Sequence, residues 1–130
     1  MLYKELTDKI IAAFYKVYNE LGFGFLENVY QNAFYLELLD AGFTVEAQKP
    51  INVTYKGQIV GKYKADLLVN ETIILELKAV DYLVEEHELQ LINYLKATDK
   101  EIGLLLNFGT KPEIRRKIFT NDRKNLCQSV

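Results

Sequence analysis

Apolar residues recur at helical spacing in two stretches near the start of the chain. The first covers residues 7–21 and is followed by Gly22, a residue that commonly ends a helix. The second covers residues 26–40, has a broad apolar face and is followed by Gly42. The pattern therefore predicts two consecutive amphipathic helices joined by a Gly-Phe-Gly-Phe turn.

From residue 43 onwards the pattern changes to extended segments separated by turn residues. A third helix is predicted over residues 83–97, and residues 102–108 form an apolar run typical of a buried strand. Residues 113–119 fit either a strand or a helix. The extended segments before the third helix are residues 43–48, 51–55, 59–69 and 72–80. The predicted order is helix, helix, three or four strands, helix and strand, followed by an uncertain element, and this mixture of helices and strands is of the α/β class.

Three charged residues stand where a buried strand calls for apolar ones. Asp66 interrupts one predicted strand, and Glu76 and Lys78 interrupt the next. Residues two apart in a strand share a face, so Glu76 and Lys78 point the same way while Leu75 and Leu77 point into the core. This alternation fixes a carboxylate and an amine side by side on a rigid support.

The break at Asn70 and Glu71 predicts a hairpin that returns Asp66 towards Glu76. A two-residue turn would pair Asp66 with Leu75, whereas a three-residue loop or a bulge would place it opposite Glu76. We expect the second arrangement, in which two carboxylates repel each other unless a cation lies between them. The alternative is that Glu76 and Lys78 form a solvated surface pair. The surrounding apolar run favours a central strand covered on both faces.

The composition fits one globular domain spanning residues 1–130, with 49% hydrophobic and 26% charged residues. A single histidine, His87, and a single cysteine, Cys127, are too few for a zinc site, and they disfavour a catalytic triad. The scarcity of cysteine favours a cytoplasmic location. No apolar run approaches the roughly 18 residues of a membrane span. Any chemistry is therefore expected to use carboxylates and a hard cation such as Mg²⁺ or Mn²⁺.

The charge is unevenly distributed although the net charge is only -2. From residue 111 to the end, six basic residues stand against two acidic ones, while the preceding part of the chain is acidic. This basic C-terminal segment suggests a phosphate-contacting surface beside a cation-binding body, and its alternative is a solvated helix of mixed charge. The residues expected to contact nucleic acid are Lys111, Arg115, Arg116 and Lys117.

The charged residues of the predicted strands also carry a family resemblance. Asp66, followed after nine residues by Glu76-Leu77-Lys78, resembles the catalytic signature of the PD-(D/E)xK nuclease superfamily. The segment GFLENVY at residues 24–30 matches the GxxExxY signature that names a family of small proteins in that superfamily. The segment QLINY, which begins at Gln90, looks like the QxxxY motif of its RecB-like branch.

The resemblance runs from about residue 7 to residue 119 and implies a fold as well as an activity. The fold would be a restriction-endonuclease-like core. It would have a central mixed sheet of four strands or slightly more, flanked by helices, in the order helix-strand-strand-strand-helix-strand. The activity would be metal-dependent hydrolysis of phosphodiester bonds in nucleic acid, with Mg²⁺ or Mn²⁺ as the cofactor and with DNA ahead of RNA.

The resemblance also assigns a role to each matching residue. Asp66, Glu76 and the backbone carbonyl of Leu77 would bind the metal, and Glu27 would bind it directly or through water. Lys78 would hold the attacking water and offset the negative charge of the transition state. Gln90 and Tyr94 lie one helical turn apart and would position Lys78, the metal waters or a phosphate.

Two other functions remain open at this point. One is a noncatalytic nucleic-acid-binding or assembly module that keeps the nuclease fold, and the other is a phosphoesterase acting on a small molecule. A domain of this size covers only a short length of nucleic acid. Specific cleavage would therefore need a homodimer, a partner protein or a structured substrate.

Overall fold

The fold consists of four helices and five strands in a computed structural model that describes residues 3–128, with side chains up to residue 124. The side chain of Cys127 therefore lies outside the described residues. The elements follow one another as α1 (Lys4–Leu21), α2 (Glu27–Asp40), β1 (Val45–Tyr55), β2 (Gln58–Val69), β3 (Ile73–Lys78), α3 (Glu85–Lys96), β4 (Ile102–Phe108), β5 (Pro112–Ile118) and α4 (Asn121–Gln128).

The five strands form one mixed sheet in the order β1-β2-β3-β4-β5. Only β3 and β4 run parallel, with α3 as the connection between them. The predicted α/β class and the mixed sheet flanked by helices are confirmed. Residues 113–119, for which strand and helix were both open, contribute the edge strand β5, and α1 begins one turn earlier than its predicted start at residue 7.

The predicted interruption between residues 48 and 51 is wrong, because β1 continues through it. Pro50 pairs with Lys64 in the middle of the β1–β2 ladder. A proline removes one backbone donor from a strand, which is tolerated where the strand has a free edge. β1 is the outermost strand of the sheet, so only its inner side needs donors for a ladder.

The helices cover the sheet on both faces, which explains why β3 and β4 are apolar on both sides. On one face, α1 and α2 pack Phe14 and Phe34 against the sheet. On the other face, α3 packs Leu91 and Leu95 against the sheet residue Ile74. None of the helices in the described part of the chain is long and apolar enough to cross a membrane.

The turn between α1 and α2 is held by a tyrosine buried in the core. The Tyr30 hydroxyl donates a hydrogen bond to the Gly22 carbonyl at 2.6 Å and accepts one from the Phe25 N–H at 3.2 Å. Its ring stacks on Phe108 with 4.4 Å between centroids. Gly24 has a φ of 114°, a conformation that favours glycine. The turn thereby fixes where α2 begins, which is at Glu27.

The loop between β3 and α3 is anchored by a fully buried amide. Asn107 on β4 accepts a hydrogen bond from the Val80 N–H at 3.0 Å and donates one to the Val80 carbonyl at 2.9 Å. It also donates to Glu113, whose carboxylate accepts the Leu83 N–H at 3.0 Å. A buried amide is costly unless its hydrogen bonds are made. This network sets the path of the chain from Lys78 into α3.

We expect Tyr30→Phe to lower the free energy of unfolding by about 1–2 kcal/mol, because two hydrogen bonds of the turn are lost while the ring remains. Urea denaturation of the wild type and the variant measures this. Tyr35→Phe on the same helix is the control, since Tyr35 is only half-buried. Equal unfolding midpoints for wild type and Tyr30→Phe would contradict the anchoring role.

Candidate active site

The site lies where β2 separates from β3. The two strands pair over only three positions, from Val69 with Ile73 to Leu67 with Leu75. The connection is a three-residue loop, and the same register continued by one step places Asp66 opposite Glu76. The expected hairpin geometry is confirmed. Beyond this point β2 remains paired with β1 alone, so the two strands open into a fork.

The two carboxylates are bound to the backbone across the fork. Asp66 Oδ2 accepts a hydrogen bond from the Leu77 N–H at 2.8 Å, and Glu76 Oε1 accepts one from the Asp66 N–H at 3.1 Å. Each side chain thus takes the place of a ladder bond at the position where the ladder ends. The Leu77 side chain is fully buried in the core, which holds its backbone rigidly at the site.

Burial disfavours the charged forms of both acids, and repulsion from Asp66 adds to this effect at Glu76. Desolvation raises the pKa of Glu76 to about 8, with the nearby Asp66 carboxylate as the second cause. The pKa of Asp66 is also raised, chiefly by desolvation, although the Leu77 N–H and Lys78 oppose the shift. Two desolvated carboxylates in one place are poorly stabilised by the protein alone. A cation with a preference for oxygen ligands fits this donor set.

A chain of polar contacts extends from Lys78 to α3. Lys78 Nζ lies 3.3 Å from Gln90 Oε1, and Gln90 Nε2 donates a hydrogen bond to the Tyr94 hydroxyl at 3.0 Å. Desolvation and the neighbouring Glu76 raise the pKa of Tyr94, so the phenol stays protonated. The structure thus brings together the four residues of the predicted strand and helix motifs: Glu76, Lys78, Gln90 and Tyr94.

Glu27 approaches the same site from the first turn of α2. Its pKa is raised by desolvation and then by Asp66, while Lys78 lowers it. Among the residues whose side chains are described, however, no three carboxylate, imidazole or thiol groups lie close enough together to hold a metal ion. The structure therefore places Glu27 within electrostatic range of Asp66 but does not group Glu27, Asp66 and Glu76 as three preformed ligands.

Two glutamines near Asp66 were not found by the sequence patterns. The amide of Gln48 on β1 lies near the Asp66 carboxylate and lowers its pKa, against the rise that desolvation causes. The Gln48 amide also donates to Gln31 Oε1 on α2 at 2.8 Å. Gln48 has a φ of 54°, a left-handed conformation that is costly for a residue other than glycine. Local periodicity carries no signal for such a residue, because its role depends on the pairing of β1 with β2.

The four basic residues expected to contact nucleic acid do not share one face. Arg115 and Lys117 lie on the α3 side of β5, since Arg115 pairs with Leu105, whereas Arg116 pairs with Leu104 and points to the opposite side. Lys117 forms an ion pair with Glu88 of α3 at 2.5 Å. Lys111 is exposed in the loop that precedes β5.

Other basic residues of the C-terminal segment have structural contacts. Lys124 is 7% exposed, and its ammonium group donates to the carbonyls of Thr98 and Lys100 at 2.9 and 2.5 Å. The guanidinium group of Arg123 stacks on the Phe119 ring at 4.4 Å. The positive charge of this segment is therefore spread over different parts of the fold.

Comparison with known proteins bears on the superfamily but not on its subdivisions. No curated protein and no solved structure matches the chain significantly. The GxxExxY family and the RecB-like branch stay predictions. The family model described as the PD-(D/E)XK nuclease superfamily matches residues 4–117, which include the fork, α2 and α3. The five-stranded mixed sheet with helices on both faces is consistent with the restriction-endonuclease-like fold of that superfamily. The chain belongs to the PD-(D/E)XK nuclease superfamily.

Proposed function

We propose that the protein is a metal-dependent nuclease that hydrolyses phosphodiester bonds of nucleic acid, with DNA ahead of RNA. The observation that carries this proposal is the position of Asp66, Glu76 and Lys78 at one fork in the sheet. Two desolvated carboxylates placed close together are unfavourable for folding. Their presence beside an amine therefore supports a functional role. Membership of a nuclease superfamily supports the same conclusion.

The residues that would hold Mg²⁺ or Mn²⁺ are Asp66, Glu76 and the carbonyl of Leu77. All three offer oxygen atoms, the ligand type that these cations prefer, and Mg²⁺ usually keeps several waters as well. Glu27 fits a role through such a water, because it is near Asp66 without forming a three-carboxylate group with it. When bound, the cation supplies Lewis-acid polarisation of the phosphate.

Lys78 is proposed to hold the attacking water and to stabilise the negative charge that develops on the phosphate. Its amine needs a defined direction to do so, because electrostatic stabilisation depends on preorganised groups. Gln90 supplies that direction through its contact with Nζ, and Tyr94 fixes the Gln90 amide in turn. Gln90 and Tyr94 are therefore proposed as positioning residues for Lys78.

A noncatalytic module that keeps the nuclease fold is the second candidate. It is favoured by one observation, namely that each carboxylate already accepts a backbone hydrogen bond across the fork. Those bonds would give Asp66 and Glu76 a structural role without any metal. The two candidates differ in whether a cation binds and whether a polymer is cleaved.

We expect the purified protein to cleave DNA in the presence of Mg²⁺ or Mn²⁺, and Asp66→Ala and Lys78→Ala to lower the rate by about 100-fold or more. Time courses on labelled single-stranded and duplex DNA, with RNA in parallel, measure this. Lys9→Ala is the matched control, because Lys9 is an exposed lysine on α1. Equal cleavage by wild type and Lys78→Ala would assign the activity to a contaminant. The absence of cleavage on every substrate would favour the noncatalytic module.

The raised pKa of Glu76 predicts how stability depends on pH without metal. The stabilisation from the protonated side chain is complete below its ordinary pKa of 4.5 and is lost as the pH rises through about 8. In EDTA, we therefore expect the wild type to lose more unfolding free energy between pH 5 and pH 8 than Glu76→Gln does, by an amount on the order of 1–3 kcal/mol.

Urea denaturation of both proteins at the two pH values measures this difference, and the variant serves to cancel the titration of all other groups. Mg²⁺ added at pH 8 should stabilise the wild type more than Glu76→Gln, because a ligand that binds only the folded state raises its stability. Parallel pH profiles and equal responses to Mg²⁺ would contradict a desolvated cation site at Glu76.

A further inference from the structure

The part of the β1–β2 hairpin that extends beyond the fork is strongly basic. Residues 49–64 contain four lysines and no acidic residue. Lys62 and Lys64 are exposed and precede Asp66 by four and two residues in β2, and they alternate with Tyr63, whose ring faces Tyr94 of α3. Lys49 is the exception, since it pairs with Glu46 at 2.9 Å. This edge of the site therefore attracts phosphate groups.

The opposite face of the same hairpin forms a groove with α3, which we call the hairpin groove. The groove has a volume of about 780 Å³, enough for a flat organic group. Glu86 and Lys96, which both line the groove, contribute charges of opposite sign that balance each other. The side chains that form its apolar surface are Val53, Tyr63, Leu89, Tyr94 and Ala97. A neutral apolar groove suits an uncharged ring better than a phosphate.

Tyr63 provides a stacking surface within the hairpin groove. Its side chain is 50% exposed although it is large and aromatic. The Tyr94 ring supports it from behind, with 5.7 Å between the centroids and a tilt of 44°. Any nucleobase can stack on an exposed aromatic ring, so such binding does not depend on the sequence of the nucleic acid. Asn93, which also lines the groove, offers an amide that can bond to the polar edge of a base.

The hairpin groove is continuous with the proposed catalytic residues. Gln90 lines the groove and also contacts Lys78, so a single side chain separates the groove from the amine. A strand whose phosphate lies at Asp66 and Glu76 therefore brings a neighbouring nucleotide to the mouth of the groove. The exposed lysines of β2 attract the phosphate backbone of the nucleic acid through their charge.

We propose that the hairpin groove binds an unpaired nucleobase next to the scissile phosphate, by stacking on Tyr63, so that the substrate is single-stranded nucleic acid. That the neighbouring phosphate is the one to be cleaved rests on the proposed function. A base in a duplex is paired and stacked, and it must leave the helix before it can enter such a groove. Lys62 and Lys64 contribute a charge-dependent attraction that is independent of sequence.

The test measures binding rather than cleavage and uses Asp66→Asn as the background. Fluorescence anisotropy gives the affinity for a labelled single strand of about 15 nucleotides and for the matching duplex. A second series of strands carries 2-aminopurine at successive positions, because the fluorescence of this base is quenched when it stacks. Tyr63→Ala removes the ring, whereas Tyr63→Phe retains it. Tyr55→Ala is the control, because Tyr55 is an exposed tyrosine of the same hairpin that does not line the groove.

We expect the single strand to bind more tightly than the duplex, and Tyr63→Ala to weaken its binding about tenfold. Tyr63→Phe and Tyr55→Ala should bind nearly as the background protein does. The quenching of 2-aminopurine should be confined to one or two neighbouring positions and should disappear in Tyr63→Ala. Because Tyr63 is half exposed, circular dichroism should show an intact fold in all variants.

The proposal would be overturned if Tyr63→Ala bound the single strand as tightly as the background protein does. Quenching of 2-aminopurine that does not depend on Tyr63 would also overturn it. Equal binding of duplex and single strand would overturn it as well. A shift in sedimentation that depends on Tyr63, without any effect on nucleic-acid binding, would instead assign the groove to a second copy of the chain. Tyr63-dependent binding by a wild-type protein that cleaves nothing would support the groove while contradicting the nuclease activity.

Discussion

The fork between β2 and β3 is the constraint on which the rest of the site depends. Strand pairing ends after Leu67 and Leu75, and the next backbone N–H groups donate to side-chain carboxylates. Each of the two strands can therefore carry an acid here, because each acid satisfies a backbone donor of the other strand that lacks a ladder partner. The cost is a pair of desolvated negative charges, which is the feature that favours a cation.

The surrounding elements serve to bring polar groups to this fork. Tyr30 fixes the turn before α2 and with it the start of the helix at Glu27. Asn107 anchors the loop before α3, which places Gln90 next to Lys78. The GxxExxY pattern thus has a physical explanation, in which the glycine permits the turn, the tyrosine holds it and the glutamate faces the site. These three residues keep their positions only if the helices on both faces pack correctly on the sheet.

Charge counting along the chain pointed to the C-terminal segment as the surface for nucleic acid, and the fold changes that picture. Lys124 and Lys117 have structural partners there, while the exposed Lys62 and Lys64 belong to the same strand as Asp66. The hairpin lysines gave a weaker signal in the sequence because four charges spread over sixteen residues do not form a run. A charge becomes relevant to binding only through its distance from the site, which depends on strand pairing.

The sequence by itself determined most of the helices and strands, although it left residues 113–119 open between strand and helix. It also identified the charged residues at Asp66, Glu76 and Lys78, because periodicity and misplaced polarity are local properties. It also predicted that Asp66 lies opposite Glu76, through either a three-residue loop or a bulge, and the structure has the three-residue loop. Only the tertiary structure decided that Gln48 lies near Asp66, that Pro50 lies within a continuous edge strand, and that Lys117 and Lys124 have structural partners. These features depend on contacts between residues far apart in the chain, and such contacts leave no repeating pattern in the sequence.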